Sequence, residues 1–180
     1  GDLYRALAAR SGGPILELAV GTGRLAVPLA AAGHEVTGVD IDAAMLERAR
    51  RRAAAAGRSV ERRLHLVTGD IRTVRLPGAG SFRLAFVALN SLMLLGDRLS
   101  QLAALATMAA HLAPGGLAVV DVWLPDADDL ARFDGRLSLE YPRIDPETGR
   151  LVTKIASAVH DAATGTIRLA TIYEEGRPGE

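Results

Sequence analysis

The chain has 180 residues, of which 49% are hydrophobic and only 4% aromatic, and its 21 basic residues balance 21 acidic ones. This length fits one domain, and the zero net charge excludes long-range attraction toward nucleic acid or an anionic membrane. The absence of cysteine excludes disulfides, thiolate zinc sites and cysteine nucleophiles. No apolar run approaches the roughly 20 residues of a membrane span, and no signal segment opens the chain, so we expect a cytoplasmic protein.

Predicted helices and strands alternate along the first two thirds of the chain. The helical segments are residues 2–11, 24–33, 43–56 and 99–112, and the strands are 15–20, 34–40, 63–70, 82–89 and 117–123. The last helix is expected to carry one apolar face made of Leu99, Leu102, Ala106, Ala109 and Leu112. Strands that alternate with helices imply right-handed parallel crossovers. We therefore predict an α/β fold with a doubly wound, mainly parallel sheet and helices on both faces.

The composition and the hydrophobic periodicity of the sequence change after Trp123. An acidic, turn-rich segment, "LPDADDLARFDG", precedes three segments of strand character, "LSLEY", "RLVTKIASAVHD" and "TIRLATIYEE". We expect an antiparallel appendage. Residues 1–124 would then form the core with its leading helix, and residues 125–180 a lid or dimerisation element of the same domain.

A glycine-rich turn joins the first strand to the second helix. Gly21 and Gly23, followed by Ala26, form a G-x-G-x-x-A pattern, which several nucleotide cofactors share. Glycines permit a tight turn and bring backbone N–H groups close to a ligand at a helix N-terminus. Alone, the pattern is also compatible with a plain tight turn.

Carboxylates at the ends of three strands indicate the kind of ligand more specifically than the glycine pattern does. Glu17, Asp40, Asp42 and Asp70 are expected to converge on one crevice, where the strand order reverses. Such a ring would repel a pyrophosphate and suits a cation. S-adenosylmethionine carries a sulfonium and an ammonium and has no phosphate, so it fits these acceptors.

The sequence resembles the class I S-adenosylmethionine-dependent methyltransferases of the small-molecule type between Tyr4 and Trp123. The segments that carry the resemblance are "ELAVGTGR", "VTGVDIDAAMLERAR", "GDIR", "FRLAFVALNSL" and "LAPGGLAVVDVW". The resemblance implies a sheet of strand order 3-2-1-4-5. It also implies that S-adenosylmethionine is bound and S-adenosylhomocysteine released. The implied cofactor-binding residues are Glu17, Ala19, Val20, Gly21, Thr22, Gly23, Arg24, Asp40, Ile41, Met45, Gly69, Asp70, Ile71, Ala88 and Leu89.

Within this set, the resemblance implies distinct contacts. Glu17 and the loop 19–23 would hold the methionine end, and Asp40 would accept hydrogen bonds from both ribose hydroxyls. Ile41 and Met45 would pack on the adenine, and Asp70 with Ile71 would read its amino edge. One departure is Ala19, where family members commonly have glycine; its methyl group requires a negative φ and room beside the ligand.

The acceptor side is less clearly marked. Asn90 and Ser91 follow the fourth strand and are expected to contact the substrate, although a strand-end cap is an equal alternative for Asn90. Tyr4 is a further candidate substrate contact, with a buried packing role as its alternative. Methyl transfer from a sulfonium needs alignment and exclusion of water more than a base, so no catalytic residue and no metal are assigned.

Two other functions are compatible with the glycine pattern. The glycine pattern with Asp40 also fits an NAD(P)-dependent oxidoreductase, although Glu17, Asp70 and "LAPGG" argue against it, and a non-catalytic cofactor-binding module is a third alternative. The basic run from Arg48 to Arg63 is interrupted by Glu47 and Glu61 and is best interpreted as a solvated helix face, so no nucleic-acid partner is expected. The strands that usually end such a sheet are not evident, so the fifth strand is expected to have an open edge that dimerisation, strand exchange or further residues would cover.

Overall fold

The computed structural model describes residues 2–146 and 148–177. The chain divides into two compact units, residues 1–123 and residues 124–180. In the first unit, the elements are α1 (Asp2–Ser11), β1 (Ile15–Leu18), α2 (Ala26–Ala31), β2 (Val36–Asp40), α3 (Ala43–Ala56), α4 (Arg58–Arg63), β3 (Leu64–Thr68), β4 (Phe82–Val87), a 3₁₀ helix (Ser91–Leu95), α5 (Arg98–His111) and β5 (Leu112–Val120). In the second unit, they are α6 (Ala127–Arg132), β6 (Ser138–Ile144), β7 (Leu151–Asp161) and β8 (Thr166–Gly176).

The first unit contains a five-stranded parallel sheet of order β3-β2-β1-β4-β5, which confirms the predicted topology. β1 lies at its centre, and all four of its residues are buried. Because successive side chains of a strand point to opposite faces, Ile15 packs into one apolar cluster and Leu16 into the other. The order reverses between β1 and β4, so the carboxyl ends of β1 and β4 flank the switch point.

The two clusters bury different helices, as the prediction of helices on both faces requires. The cluster with Ile15 contains Tyr4 of α1, Leu29 of α2 and Leu46 of α3. The cluster with Leu16 contains Ala104 and Met108 of α5. The central strand is thus covered on both sides, which explains its continuous apolar character.

The predicted face of α5 was wrong. Leu99 is 79% exposed and Leu102 49% exposed, whereas Ala104, Thr107, Met108 and His111 are buried. The buried polar side chains bond to the backbone of the loop after β3: Thr107 Oγ1 donates to the Arg72 carbonyl at 2.9 Å, and His111 Nε2 accepts from the Leu76 N–H at 3.0 Å. Hydrophobic periodicity does not predict such a face, because it counts apolar residues only. Here polar side chains can be buried because their hydrogen bonds are satisfied.

The start of one strand and three short helices also differ from the predictions. β5 begins at Leu112 rather than at Leu117, because "LAPGG" forms an irregular stretch of strand with a register shift against β4. The helices α4 and α6 and the 3₁₀ helix, each of five or six residues, were not predicted. Runs this short carry too few apolar repeats to register as a helical period.

The second unit contains a three-stranded antiparallel sheet of order β6-β7-β8, as predicted. β7 and β8 pair without interruption along eleven residues each. The acidic segment before the sheet includes α6, whose N-terminus has a reciprocal capping box between Asp126 and Asp129.

Candidate active site

A cleft of about 440 Å³ lies at the carboxyl ends of the parallel strands, within the size range of small-molecule sites. Its floor and walls come from the turn after β1, the end of β2, the start of α3, the loop after β3 and the 3₁₀ helix. The lining residues are Ala19, Gly21, Asp40, Ile41, Asp42, Met45, Asp70, Ile71, Arg72, Ser91, Leu94 and Leu95.

The turn after β1 has three residues with left-handed backbone. Gly21 and Gly23 have φ values of 54° and 72°, and a Cβ on Gly23 would lie 3.1 Å from Val27 and 3.3 Å from Ala49. Glycine is therefore required at position 23 both by conformation and by the close packing of α2 on α3. Ala19 has a φ of 59°, so the negative φ that its methyl group was expected to require is not present. The residue is in a left-handed conformation that a Cβ disfavours.

Asp40 ties this turn to α3. Its Oδ2 accepts the Gly21 N–H at 2.7 Å, and its Oδ1 accepts the Asp42 N–H at 2.9 Å. Asp42 in turn caps α3, since its Oδ1 accepts from the N–H groups of Ala44 and Met45. The carboxylate of Asp40 thus fixes the mouth of the cleft between two backbone segments.

Glu17 is the buried acid of the site. It is 3% exposed in the middle of β1, and its Oε2 has no hydrogen-bond partner among the described residues. Burial raises the pKa of this carboxyl well above its ordinary value, and nearby Asp40 adds to the increase, while the Ala26 backbone N–H and the Arg24 charge oppose it. An unpaired buried acceptor of this kind indicates a site for a donor, preferably a cationic one.

Asp70 is engaged by a neighbour from its own loop. Arg72 donates from Nε and Nη2 to its carboxylate, with the shortest contact at 2.6 Å, and the Arg72 backbone N–H also donates to Oδ1. The Arg72 side chain and backbone hydrogen bonds hold the pKa of Asp70 below its usual value. Arg72 therefore neutralises one of the carboxylates that the sequence places around the cleft.

The segment after β4 is clamped to the end of β5. Leu89 and Asn90 are both left-handed, with φ values of 58° and 65°. The Asp121 N–H donates to the Val87 carbonyl at 3.0 Å, the Asn90 N–H donates to the Asp121 carbonyl at 3.1 Å, and Asn90 Oδ1 accepts from the Trp123 N–H. Asn90 thus has the strand-end capping contact that the sequence left as one of two alternatives.

Tyr4 reaches the same end of β5 from α1. Its ring is buried against Phe86 with the centroids 4.7 Å apart, and its hydroxyl donates to Asp121 Oδ2 at 3.0 Å. Burial, this hydrogen bond and the charges of Asp121 and Glu17 raise the pKa of Tyr4, so the phenol stays protonated. Tyr4 has the buried packing role and also orients the carboxylate of Asp121.

The predicted site residues fall into two groups. Those that line the cleft are Ala19, Gly21, Asp40, Ile41, Met45, Asp70, Ile71 and Ser91. Those that lie behind or beside it are Tyr4, Glu17, Val20, Thr22, Gly23, Arg24, Gly69, Ala88, Leu89 and Asn90. Sequence reasoning missed Arg72, Leu94, Leu95 and Asp121. Arg72 is part of "GDIR", and its position two residues after Asp70 was a signal that the two side chains could pair. Leu94 and Leu95 lie on the 3₁₀ helix that was not predicted, and Asp121 follows the end of β5.

No cluster of three or more potential metal ligands occurs within residues 2–146 and 148–177. The three carboxylates that line the cleft, those of Asp40, Asp42 and Asp70, accept hydrogen bonds from backbone N–H groups or from Arg72.

The fold and the cleft together define a class I S-adenosylmethionine-dependent methyltransferase, as the sequence resemblance implied. A family model described as a methyltransferase domain matches residues 15–116, which is more than half of the chain. The chain belongs to this family. These matches give no support to the oxidoreductase alternative. Among curated proteins, no match was found.

Solved structures match nearly the whole chain. The CcbJ methyltransferase from Streptomyces caelestis is 26% identical, with a TM-score of 0.77 over 97% of this chain and 72% of that one. The glycopeptide N-methyltransferase MtfA complexed with S-adenosyl-L-methionine is also 26% identical, with a TM-score of 0.65 and coverage of 97% and 69%. CalS10 from Micromonospora echinaspora, an S-adenosylmethionine-bound amino pentose methyltransferase, has the same identity, a TM-score of 0.66 and coverage of 97% and 73%.

Proposed function

We propose that the protein transfers the methyl group of S-adenosylmethionine to a nitrogen atom of a small-molecule acceptor. The observation that carries the cofactor assignment is the unpaired, buried Oε2 of Glu17 beside the turn after β1. A phosphate group would bring no donor to Oε2 of Glu17 and would meet Asp40 with like charge, whereas the cofactor's ammonium group supplies the missing donor.

The roles of the cleft residues follow from their contacts. Asp40 already accepts two backbone N–H groups, but each carboxylate oxygen keeps a lone pair for a ribose hydroxyl. Ile41, 69% exposed, and Met45, 38% exposed, offer apolar surface on which adenine would pack. Asp70 reads the adenine amino edge while Arg72 holds the carboxylate in orientation.

When bound, S-adenosylmethionine supplies a methyl group on a sulfonium that is already activated for in-line displacement. The chain itself aligns the acceptor and excludes water. The left-handed pair Leu89 and Asn90, fixed to β5 by backbone hydrogen bonds, forms a rigid wall for this purpose. Asp121, oriented by the Tyr4 hydroxyl, is the acceptor-side group that can accept a hydrogen bond from an amine.

The choice of nitrogen is supported by similarity. MtfA is named as a glycopeptide N-methyltransferase and CalS10 as an amino pentose methyltransferase. An amine in its neutral form offers a lone pair directly, which agrees with a site to which no catalytic base is assigned.

Labelled-methyl transfer tests the proposal. The protein is incubated with methyl-labelled S-adenosylmethionine and pairs of acceptors, such as amino sugars, that differ only in bearing an amino or a hydroxyl group at one carbon. We expect label in amines only. Label in the hydroxyl partner instead would contradict nitrogen as the acceptor. Calorimetric binding of NAD but not of S-adenosylmethionine would contradict the methyltransferase assignment itself.

The remaining predictions concern location and partners. Over residues 2–146 and 148–177, no helix is long and apolar enough to cross a membrane. A cytoplasmic location and the lack of a nucleic-acid partner stay predictions from composition and charge. The lid or dimerisation role of residues 125–180 stays a prediction from their pattern of strands.

A further inference from the structure

The loop between β3 and β4, residues 69–81, forms one wall of the cleft. Asp70, Ile71 and Arg72 of this loop line the cleft, and Ile71 is buried in the same apolar cluster as Met108 of α5. Apolar packing of this kind is non-directional. A loop that must present a carboxylate and a backbone segment to one edge of a ligand therefore needs directional support as well.

Two side chains of α5 give directional hydrogen bonds to the backbone of this loop. Thr107 Oγ1 donates to the Arg72 carbonyl at 2.9 Å. His111 Nε2 accepts from the Leu76 N–H at 3.0 Å, so its ring proton lies on Nδ1, which donates to the Thr107 carbonyl at 2.7 Å. Both side chains are buried, so water does not compete for these bonds.

A third side chain of α5 contacts the Arg72 guanidinium. Ser100 Oγ accepts from Arg72 Nη1 at 3.4 Å and donates to Asp97 Oδ2 at 2.7 Å. Arg72 in turn holds the carboxylate of Asp70 through Nε and Nη2. The N-terminal end of α5 is thus connected to Asp70 by consecutive hydrogen bonds.

Ser100, Thr107 and His111, which we call the α5 stripe, lie on one face of the helix. They are separated by seven and four residues, spacings that bring side chains to the same side of a helix. Apolar residues would also fill positions 107 and 111, but they would leave the Arg72 carbonyl and the Leu76 N–H without these partners. The polar character of the stripe therefore serves the loop and not the packing of α5.

We propose that the α5 stripe positions the loop 69–81 so that Asp70 and Ile71 select adenine over other nucleobases. This inference rests on the proposed function, in which these two residues meet the amino edge of adenine. Among the described residues that line the cleft, the stripe has no member. Its three side chains are therefore positioning residues that act through the loop.

Binding of two ligands to the full chain tests this selection. S-adenosylhomocysteine and S-inosylhomocysteine differ in the base, where a donating amino group is replaced by an accepting carbonyl. The native protein is expected to bind the adenine compound more tightly, because the Asp70 carboxylate has no donor for a carbonyl. Thr107→Val keeps the shape and removes the bond to the Arg72 carbonyl. It should weaken binding of the adenine compound roughly 2- to 13-fold, the equivalent of one neutral hydrogen bond, and leave binding of the inosine compound nearly unchanged.

Three further variants separate positioning from stability. Thr107→Ser retains the hydroxyl and should restore the native ratio of the two dissociation constants. Ser100→Ala changes a half-buried position and should lower the ratio in the same direction as Thr107→Val. Val60→Ala is the matched control, because it truncates a buried side chain in the apolar cluster on the opposite face of the sheet. It should lower the free energy of unfolding and keep the native ratio.

Calorimetry gives the two dissociation constants, and thermal unfolding gives the stability of each variant. The inference is overturned if Thr107→Val and Ser100→Ala keep the native ratio, if Thr107→Ser does not restore it, or if Val60→Ala lowers it as much. Ser100→Ala decides the question if Thr107→Val does not fold. Equal binding of both compounds by the native protein would overturn selection by the loop alone. Failure to bind S-adenosylhomocysteine at all would contradict the proposed function, and the inference with it.

Discussion

Replacing Glu17 with glutamine removes a buried ionisable carboxyl group while nearly preserving its shape. If the unpaired Oε2 of Glu17 receives the cofactor ammonium, the variant exchanges a charge-assisted hydrogen bond for a neutral one. Hydrogen bonds to charged groups contribute about 1.5–3 kcal/mol and neutral ones about 0.5–1.5 kcal/mol. The difference of about 1–1.5 kcal/mol should raise the Kd for S-adenosylmethionine roughly 5- to 13-fold.

The same substitution should change how stability depends on pH. Burial raises the pKa of Glu17 above its ordinary value of 4.5, so the protonated carboxyl favours the folded state. That contribution is fully present below the ordinary pKa and is lost as the pH rises through the raised folded-state pKa. Glutamine does not titrate. The free energy of unfolding of Glu17→Gln, measured relative to the native protein, should therefore increase as the pH rises above 4.5.

Two measurements check both effects. Calorimetric titration with S-adenosylmethionine gives the affinity, and thermal unfolding between pH 5 and 8 without cofactor gives the stability difference. Glu47→Gln, an exposed acid on α3, is the matched control and should change neither quantity. Native-like affinity of Glu17→Gln, or a stability difference that does not vary with pH, would refute the assignment of Glu17 as a buried acceptor that awaits a cation.

Further substitutions test the surrounding contacts. Asp40→Ala should weaken cofactor binding by about 1–3 kcal/mol, since it removes the proposed ribose acceptor and unties Gly21; unchanged calorimetric affinity would exclude that role. Asp42→Ala removes the cap of α3 and should lower the free energy of unfolding by about 1 kcal/mol in denaturant titration, while an unaltered midpoint would contradict the capping role. Ala19→Gly should raise the free energy of unfolding by up to about 1 kcal/mol, because relief of left-handed strain outweighs the added chain entropy; a clear loss would argue against the strain. Tyr4→Phe should lower it by about 1 kcal/mol through the lost bond to Asp121, and equal stability would mean that this bond contributes nothing.

Local patterns were sufficient for the first half of the fold. The strand β1 is a short apolar run bounded by glycines, and α3 begins at Asp42 and ends at Gly57, so both could be predicted from neighbouring residues. The parallel arrangement of the strands followed from the alternation of helices and strands and the right-handed crossover rule, whereas their order followed from the family resemblance. The positions of Asp40 and Asp70 at strand ends followed from the same argument.

Other features depended on distant partners. The buried face of α5 contains Thr107 and His111 because the backbone of the loop after β3, some 35 residues away, supplies their hydrogen bonds. The extension of β5 through "LAPGG" depends on a register shift against β4 that no local signal marks. Propensity and periodicity do not contain these long-range pairings.

For the site, the sequence by itself determined which residue types meet at the cleft: glycines for the turn and carboxylates at the ends of the strands. Only the tertiary structure decided which carboxylate is unpaired. Asp40 is held by backbone N–H groups and Asp70 by Arg72, whereas Glu17 is buried with one oxygen unpartnered. The reason is physical: solvent exposure and hydrogen-bond partners, which set the charge state of an acid, are properties of the packed chain and not of the residue.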